Sequence, residues 1–136
     1  MDWNPQDEDK TAAWEMYVEL LTRTSTQRLD EAHGDEKTAL TSIFSIFSIT
    51  RDVMKKNGRH CVEFTKLAIV VLNQVVRPFT AKWHRLALHG AFDDPKQCKD
   101  FRFELAELQI ELSIYTKMLA DMAGVEDLTE LENVEN

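Results

Sequence analysis

Residues 94–124 read DPKQCKDFRFELAELQIELSIYTKMLADMAG, and this stretch decides the fold class. Phe101, Leu105, Leu108, Leu112, Tyr115, Leu119 and Met122 recur in an unbroken 4-3-4-3-4-3 spacing, an apolar seam that only a helix places on one face. The punctuation agrees: Asp94 is a capping residue, Pro95 suits the first helical position, Gln97 is a capping-box partner, and Gly124 marks the stop. Phe103, Ala106, Ile110 and Ile114 add a second apolar flank, which places this helix in a bundle rather than in a lone zipper.

Working outward, the preceding segment carries Ile69, Leu72, Val76, Phe79, Trp83 and Leu86 at steps of three or four, predicting a helix over roughly 62–89 that ends at Gly90. The valines at 70, 71, 75 and 76 have high strand propensity, so a strand over 67–76 is the rival; periodicity continuing through Leu86 favours helix. Pro78 falls in the interior of that helix. There it removes a backbone donor and its ring meets the Gln74 carbonyl, so a kink is expected.

Upstream, Asp35 caps a helix running to about Asn57, with Gly58 as its stop. Two adjacent apolar seams, 39-43-46-53 and 40-44-47-54, predict a central, heavily buried helix. The serines of Ser42-Ile43-Phe44-Ser45-Ile46-Phe47-Ser48 form a small-residue strip that could admit a close neighbour. The first helix opens at Asn4-Pro5 or Asp7 and runs to about Gln27, with Trp14, Val18 and Leu21 on one face and Tyr17 and Leu20 beside them. The fold class is therefore all-α: a bundle of four long helices with short loops, the third kinked at Pro78. A single domain is expected over residues 1–125, followed by an acidic tail, 126–136, that is mobile unless Val125, Leu128, Leu131 and Val134 dock.

A chain of 136 residues, 43% hydrophobic and 29% charged, has the make-up of a soluble globular domain. The start is acidic and lacks the apolar core of a signal peptide, and the longest apolar run, Leu67–Leu72, is far short of the roughly 18 residues of a membrane span. Cys61 and Cys98 form no CxxC motif, so reduced thiols and a cytoplasmic location are expected. The net charge of −8 is uneven: four acids lie within residues 1–9 and five within 126–136, while 51–102 holds eleven Lys and Arg against five acids. That distribution permits a local anion site and argues against a broad nucleic-acid surface.

The densest set of donors surrounds Pro78. Asn73, Arg77 and His84 share one face of the third helix, and Lys82, Arg85 and His89 share another. Arg supplies a planar fork and Lys a point charge for phosphate or carboxylate. A solvated polar face with intrahelical ion pairs is the plainer reading, weakened by the scarcity of acids nearby. Arg23 and Arg51 are further candidates that could turn into a shared polar pocket near the kink, although either alone also reads as a helix-end cation favourable to the dipole.

Catalysis has less support. Glu15 with Glu19, and Glu104 with Glu107 and Glu111, have the helical spacing that holds Mg²⁺ in all-α nucleotide pyrophosphohydrolases. No Glu-x-x-His pair accompanies them, and the second set lies opposite the heptad seam, facing water. No metal-finger spacing, Gly-rich phosphate loop or nucleophile–His arrangement is present in the sequence.

Three segments taken together carry a resemblance: Tyr17-Val18-Glu19-Leu20-Leu21-Thr22-Arg23; Thr50-Arg51-Asp52-Val53; and Val71-Leu72-Asn73 with Arg77-Pro78-Phe79-Thr80-Ala81-Lys82-Trp83-His84. They resemble a small helical module of bacterial conflict and antiphage-defence proteins, in particular the cytosolic sensor domain of membrane-bound type III CRISPR effectors that bind cyclic tetra-adenylate. The resemblance implies a homo-oligomeric, non-enzymatic nucleotide-binding module, with Arg77, Lys82 and His84 as first candidates for phosphate contact. This chain carries no membrane-spanning segment, so an effector would be a separate protein partner or a fused domain. No cofactor is implied. A protein–protein scaffold acting through the fourth helix is the alternative reading, and the metal-dependent hydrolase a third.

Overall fold

A computed structural model describes residues 5–22 and 35–129. The elements are α1 (Asp7–Leu21), α2 (Glu36–Asn57), α3 (Val62–Val71), a π-helical turn (Leu72–Val76), α4 (Arg77–Leu88), a 3-10 turn (Ala91–Asp93) and α5 (Pro95–Ala123). The chain through α3, the π turn and α4 is one helical rod, so four long helices make the bundle as expected, and no strand occurs among the described residues. Arg23 and the segment to Gln27 lie outside the described residues, as does Asn4.

The third rod shows how the sequence dictates its own irregularity. Pro78 cannot donate to the carbonyl four residues back, and its ring would collide there in a regular helix. The turn ahead of it widens instead, and the Arg77 N–H reaches back five residues to the Leu72 carbonyl. The extra residue rotates everything downstream. On the α3 side the core residues are Phe64, Ala68 and Val71; beyond the turn they are Val76, Phe79 and Trp83, so the step from 71 to 76 is five. The stripe expected from an even period is therefore correct for Val76, Phe79 and Trp83 but one residue out upstream. Ile69, expected in the core, is exposed, and Ala68 takes its place.

The α5 seam is buried at all seven heptad positions, and it packs along α1. The expected second flank is not: Phe103, Ile110 and Ile114 face out. Helix α1 presents Ala12, Ala13, Met16, Tyr17 and Leu20 to the core, leaving Trp14 and Val18 exposed, which overturns the expected Trp14–Val18 face. Two alanines allow close backbone approach, and that outweighs the larger apolar area of a tryptophan. Helix α2 runs antiparallel to α1, with Thr50 on Met16 and Asn57 on Glu15. Its first seam is buried, whereas Phe44 and Phe47 of the second lie half-open beside α4. The serines turn inward on their own helix: Ser45 and Ser48 hydroxyls donate to the Ser42 and Ser45 carbonyls at 2.6 and 3.1 Å.

Three further devices close the bundle. Asp9, 1% exposed, accepts from the Gln6 N–H at 2.9 Å and the Phe64 N–H at 3.0 Å, capping α1 and α3 together. Phe64 is the third residue of α3, where Cys61 stands as the N-cap without a side-chain cap bond, so α1 supplies the oxygen that α3 lacks. At the α4–α5 corner Trp83 stacks on Phe92 at 6.1 Å, and Phe101 meets Trp83, Phe92 and Phe79 at 5.1, 4.9 and 5.5 Å. Past Gly124, which takes the left-handed φ of 74° at the α5 C-cap, the chain turns back onto α1. The Tyr17 hydroxyl accepts from the Leu128 N–H at 2.7 Å and donates to the Glu126 carbonyl at 3.3 Å, and Thr129 is buried. Residues 126–129 of the acidic tail are thus held by their backbone, while Val125 and Leu128 stay exposed.

Candidate anion-binding seam

Helices α2 and α4 lie side by side, and the seam between them gathers most of the expected donors. Arg77, at the first position of α4, lays its guanidinium over the Phe47 ring of α2 at 4.8 Å, while its Nε donates to the Asn73 Oδ1 at 3.3 Å. Two turns further along α4, the His84 ring meets Phe44 edge-on at 5.5 Å. Arg51 lies four residues after Phe47 on α2, exposed at the same surface. Among the described residues no carboxylate pairs with Arg51, Arg77 or His84. The geometry matters chemically: Phe47 occupies one face of the Arg77 guanidinium and Asn73 fixes its Nε edge, so the fork is oriented while its terminal donors stay available.

Lys82 belongs elsewhere. Its ammonium sits 2.5 Å from Glu104 Oε2 on α5, and the Trp83 indole N–H donates to the other oxygen of that carboxylate at 3.2 Å. The expected scarcity of acids around the donors thus fails for Lys82, and Glu104 turns toward α4 rather than to water. A buried Trp83 needs a hydrogen-bond partner, and Glu104 satisfies it while pairing with Lys82.

The sequence reading missed the lower end of the same seam. Where α2 ends at Gly58 and α3 begins, an open groove of about 780 Å³ has Met54, Val62, Ile69 and Val70 as its apolar floor. Lys55, Arg59 and Lys66 rim it and no acid lines it, although Glu63 lies 3.7 Å from Lys66. The signal was present as Arg51, Lys55 and Arg59 at steps of four on and just past α2, but the phase shift at the π turn hid which α3 residues face them.

Among the described residues the carboxylates do not assemble a metal centre. Glu15 accepts from Lys56 at 2.5 Å and Asn57 at 2.6 Å, committing it to the end of α2. Partial burial raises its pKa, but the hydrogen bonds from Lys56 and Asn57 and the Lys56 charge outweigh this and hold it below the ordinary glutamate value. Glu104 is committed to α4, and no three His, Cys, Asp or Glu side chains converge on a metal-sized site among the described residues. Cys98 donates to the Phe92 carbonyl at 3.3 Å, and burial, with Glu36 nearby, pushes its thiol pKa up, the opposite of a nucleophilic cysteine. No described helix is long and apolar enough to cross a membrane. No protein-family model, no curated protein and no solved structure matches this chain.

Proposed function

We propose that this protein is a non-enzymatic regulatory module that binds an anionic, phosphate-bearing ligand in the seam between α2 and α4. The observation that supports it is the Arg77 fork, oriented by Phe47 and Asn73 and, among the described residues, opposed by no carboxylate. Orientation before binding lowers the side-chain entropy lost on complex formation, and a guanidinium edge suits phosphate oxygens in pairs. His84 and Arg51 extend the donor row, and the half-open Phe44 ring gives a planar base an apolar surface to rest on. Lys82, paired to Glu104, drops out of the site. The resemblance to sensor domains that bind cyclic tetra-adenylate makes a cyclic oligonucleotide the first ligand to test and a cytoplasmic antiphage-defence system the proposed setting, with a separate effector protein as the partner.

Calorimetric titration with cyclic tetra-adenylate, linear tetra-adenylate, ATP and pyrophosphate tests this reading. Losing charge-assisted hydrogen bonds of about 1.5–3 kcal/mol should make Arg77→Ala bind roughly ten- to a hundredfold more weakly. Lys82→Ala should retain binding. If none of the four ligands binds below about 1 mM, or if Arg77→Ala binds like the parent, the reading is wrong.

A further inference from the structure

The outer surface of α5 carries large apolar side chains that the fold does not use. Phe103, Ile110 and Ile114 are 69, 63 and 49% exposed, and Ala106 is exposed between them. They lie on the side of the helix opposite the buried heptad seam. Isolated exposed apolar residues are ordinary, but a row in register along one helix marks an interface.

The row has a symmetry of its own. Starting from Lys99, successive positions on this surface are Phe103, Ala106, Ile110, Ile114, Lys117 and Asp121, at steps of 4-3-4-4-3-4. That pattern reads the same in both directions about Ile110. We propose that α5 pairs with α5 of a second copy, antiparallel, about a two-fold axis through Ile110. In that arrangement Ile110 meets its own counterpart and the small Ala106 receives Ile114. Phe103 lies under the stem and ammonium of Lys117, and Lys99 faces Asp121. Ile114 and Phe103 thus each meet a small or flexible residue, Ile110 packs on its own copy at the axis, and the opposite charges close both ends. A parallel pairing in register would instead set Lys99 on Lys99, Asp121 on Asp121 and Phe103 on Phe103, which fixes the antiparallel choice. A two-fold contact needs only one self-complementary patch, and this helix supplies it. The inference stands apart from the anion-binding reading, since α5 contributes nothing to the α2–α4 seam.

Sedimentation of the full chain tests it. The parent should dimerise, and Ile110→Asp, at a site open enough not to disturb folding, should weaken association more than about tenfold, as loss of a central anchor does. Its circular dichroism should match the parent. Under mild oxidation Ile110→Cys should form a disulfide-linked dimer by itself, and Ala106→Cys should cross-link to Ile114→Cys when the two are mixed, with the parent as the thiol control. The proposal is overturned if the parent stays monomeric to about 100 µM, a weak-interface threshold, or if Ile110→Asp dimerises normally. It is equally overturned if Phe103→Cys cross-links to itself as readily as Ile110→Cys, because that is the parallel register.

Discussion

Replacing Asp9 by Ala removes one side chain and uncaps two helices. The buried Phe64 N–H, at 3.0 Å from Asp9 Oδ1, loses its side-chain acceptor and stays out of reach of water, a loss of about 2–3 kcal/mol for a bond to a charged group. The Gln6 N–H, at 2.9 Å from Oδ2, belongs to an exposed residue that solvent can reach, so its share is about 0.5–1 kcal/mol. Relief of the carboxylate's desolvation offsets part of the sum, leaving a net loss of about 3 kcal/mol. At roughly 4 °C per kcal/mol for a chain of this size, the melting temperature should fall by about 12 °C. Urea unfolding followed at 222 nm gives the free energy, and amide exchange gives its location: Phe64 should lose protection first. Asp9→Asn should lose nearly as much, because its amide nitrogen would face one of the two donors. A loss under about 1 kcal/mol, or an unchanged Phe64 exchange rate, would refute the double-cap argument.

Two other perturbations have opposite signs. The Tyr115 hydroxyl is buried with no hydrogen-bond partner among the described residues, and burial pushes its pKa up, so Tyr115→Phe should be neutral or stabilising by up to about 1 kcal/mol in urea unfolding. A clear destabilisation would mean the hydroxyl has a partner in solution. Glu15 has a folded-state pKa depressed from 4.5, so the stability it adds is present above that value and is lost as pH falls through the folded pKa. The gap in melting temperature between the parent and Glu15→Gln should therefore be present at neutral pH and close as the pH drops below about 4.5, the ordinary value. A gap that ignores pH would discount the Lys56 pairing.

The sequence disclosed most where a single period runs uninterrupted. In α5 the cap, the first-turn proline, the seven seam residues and the terminal glycine all took their expected places, as did the Asp35 cap and Gly58 stop of α2. It disclosed least where a local rule depends on a distant one. The α3 stripe came out one residue off because a period extrapolated back through Leu72–Val76 cannot see the residue a π turn inserts. Asp9 reads as an ordinary first-turn acid, and only the tertiary fold brings it to an α3 amide 55 residues away. Of the donors around Pro78, Arg77, Asn73 and His84 remained together because they share a helical face. Lys82 was lost to Glu104, a pairing across two helices that spacing within one cannot reveal.

The pairing of α1 with α5 has a bearing on how the chain is made. Helix α1 leaves the ribosome well before α5, yet the residues that cover its core face and bond Tyr17 belong largely to α5 and to Glu126–Thr129. At about 5–20 residues per second, that apolar face waits several seconds for its cover. A nascent chain stalled before α5 would display it to chaperones or to other stalled chains. Folding of this bundle can therefore be checked at α5: until that helix and the Tyr17 clasp have closed, the core face of α1 stays open as it does in an aborted chain.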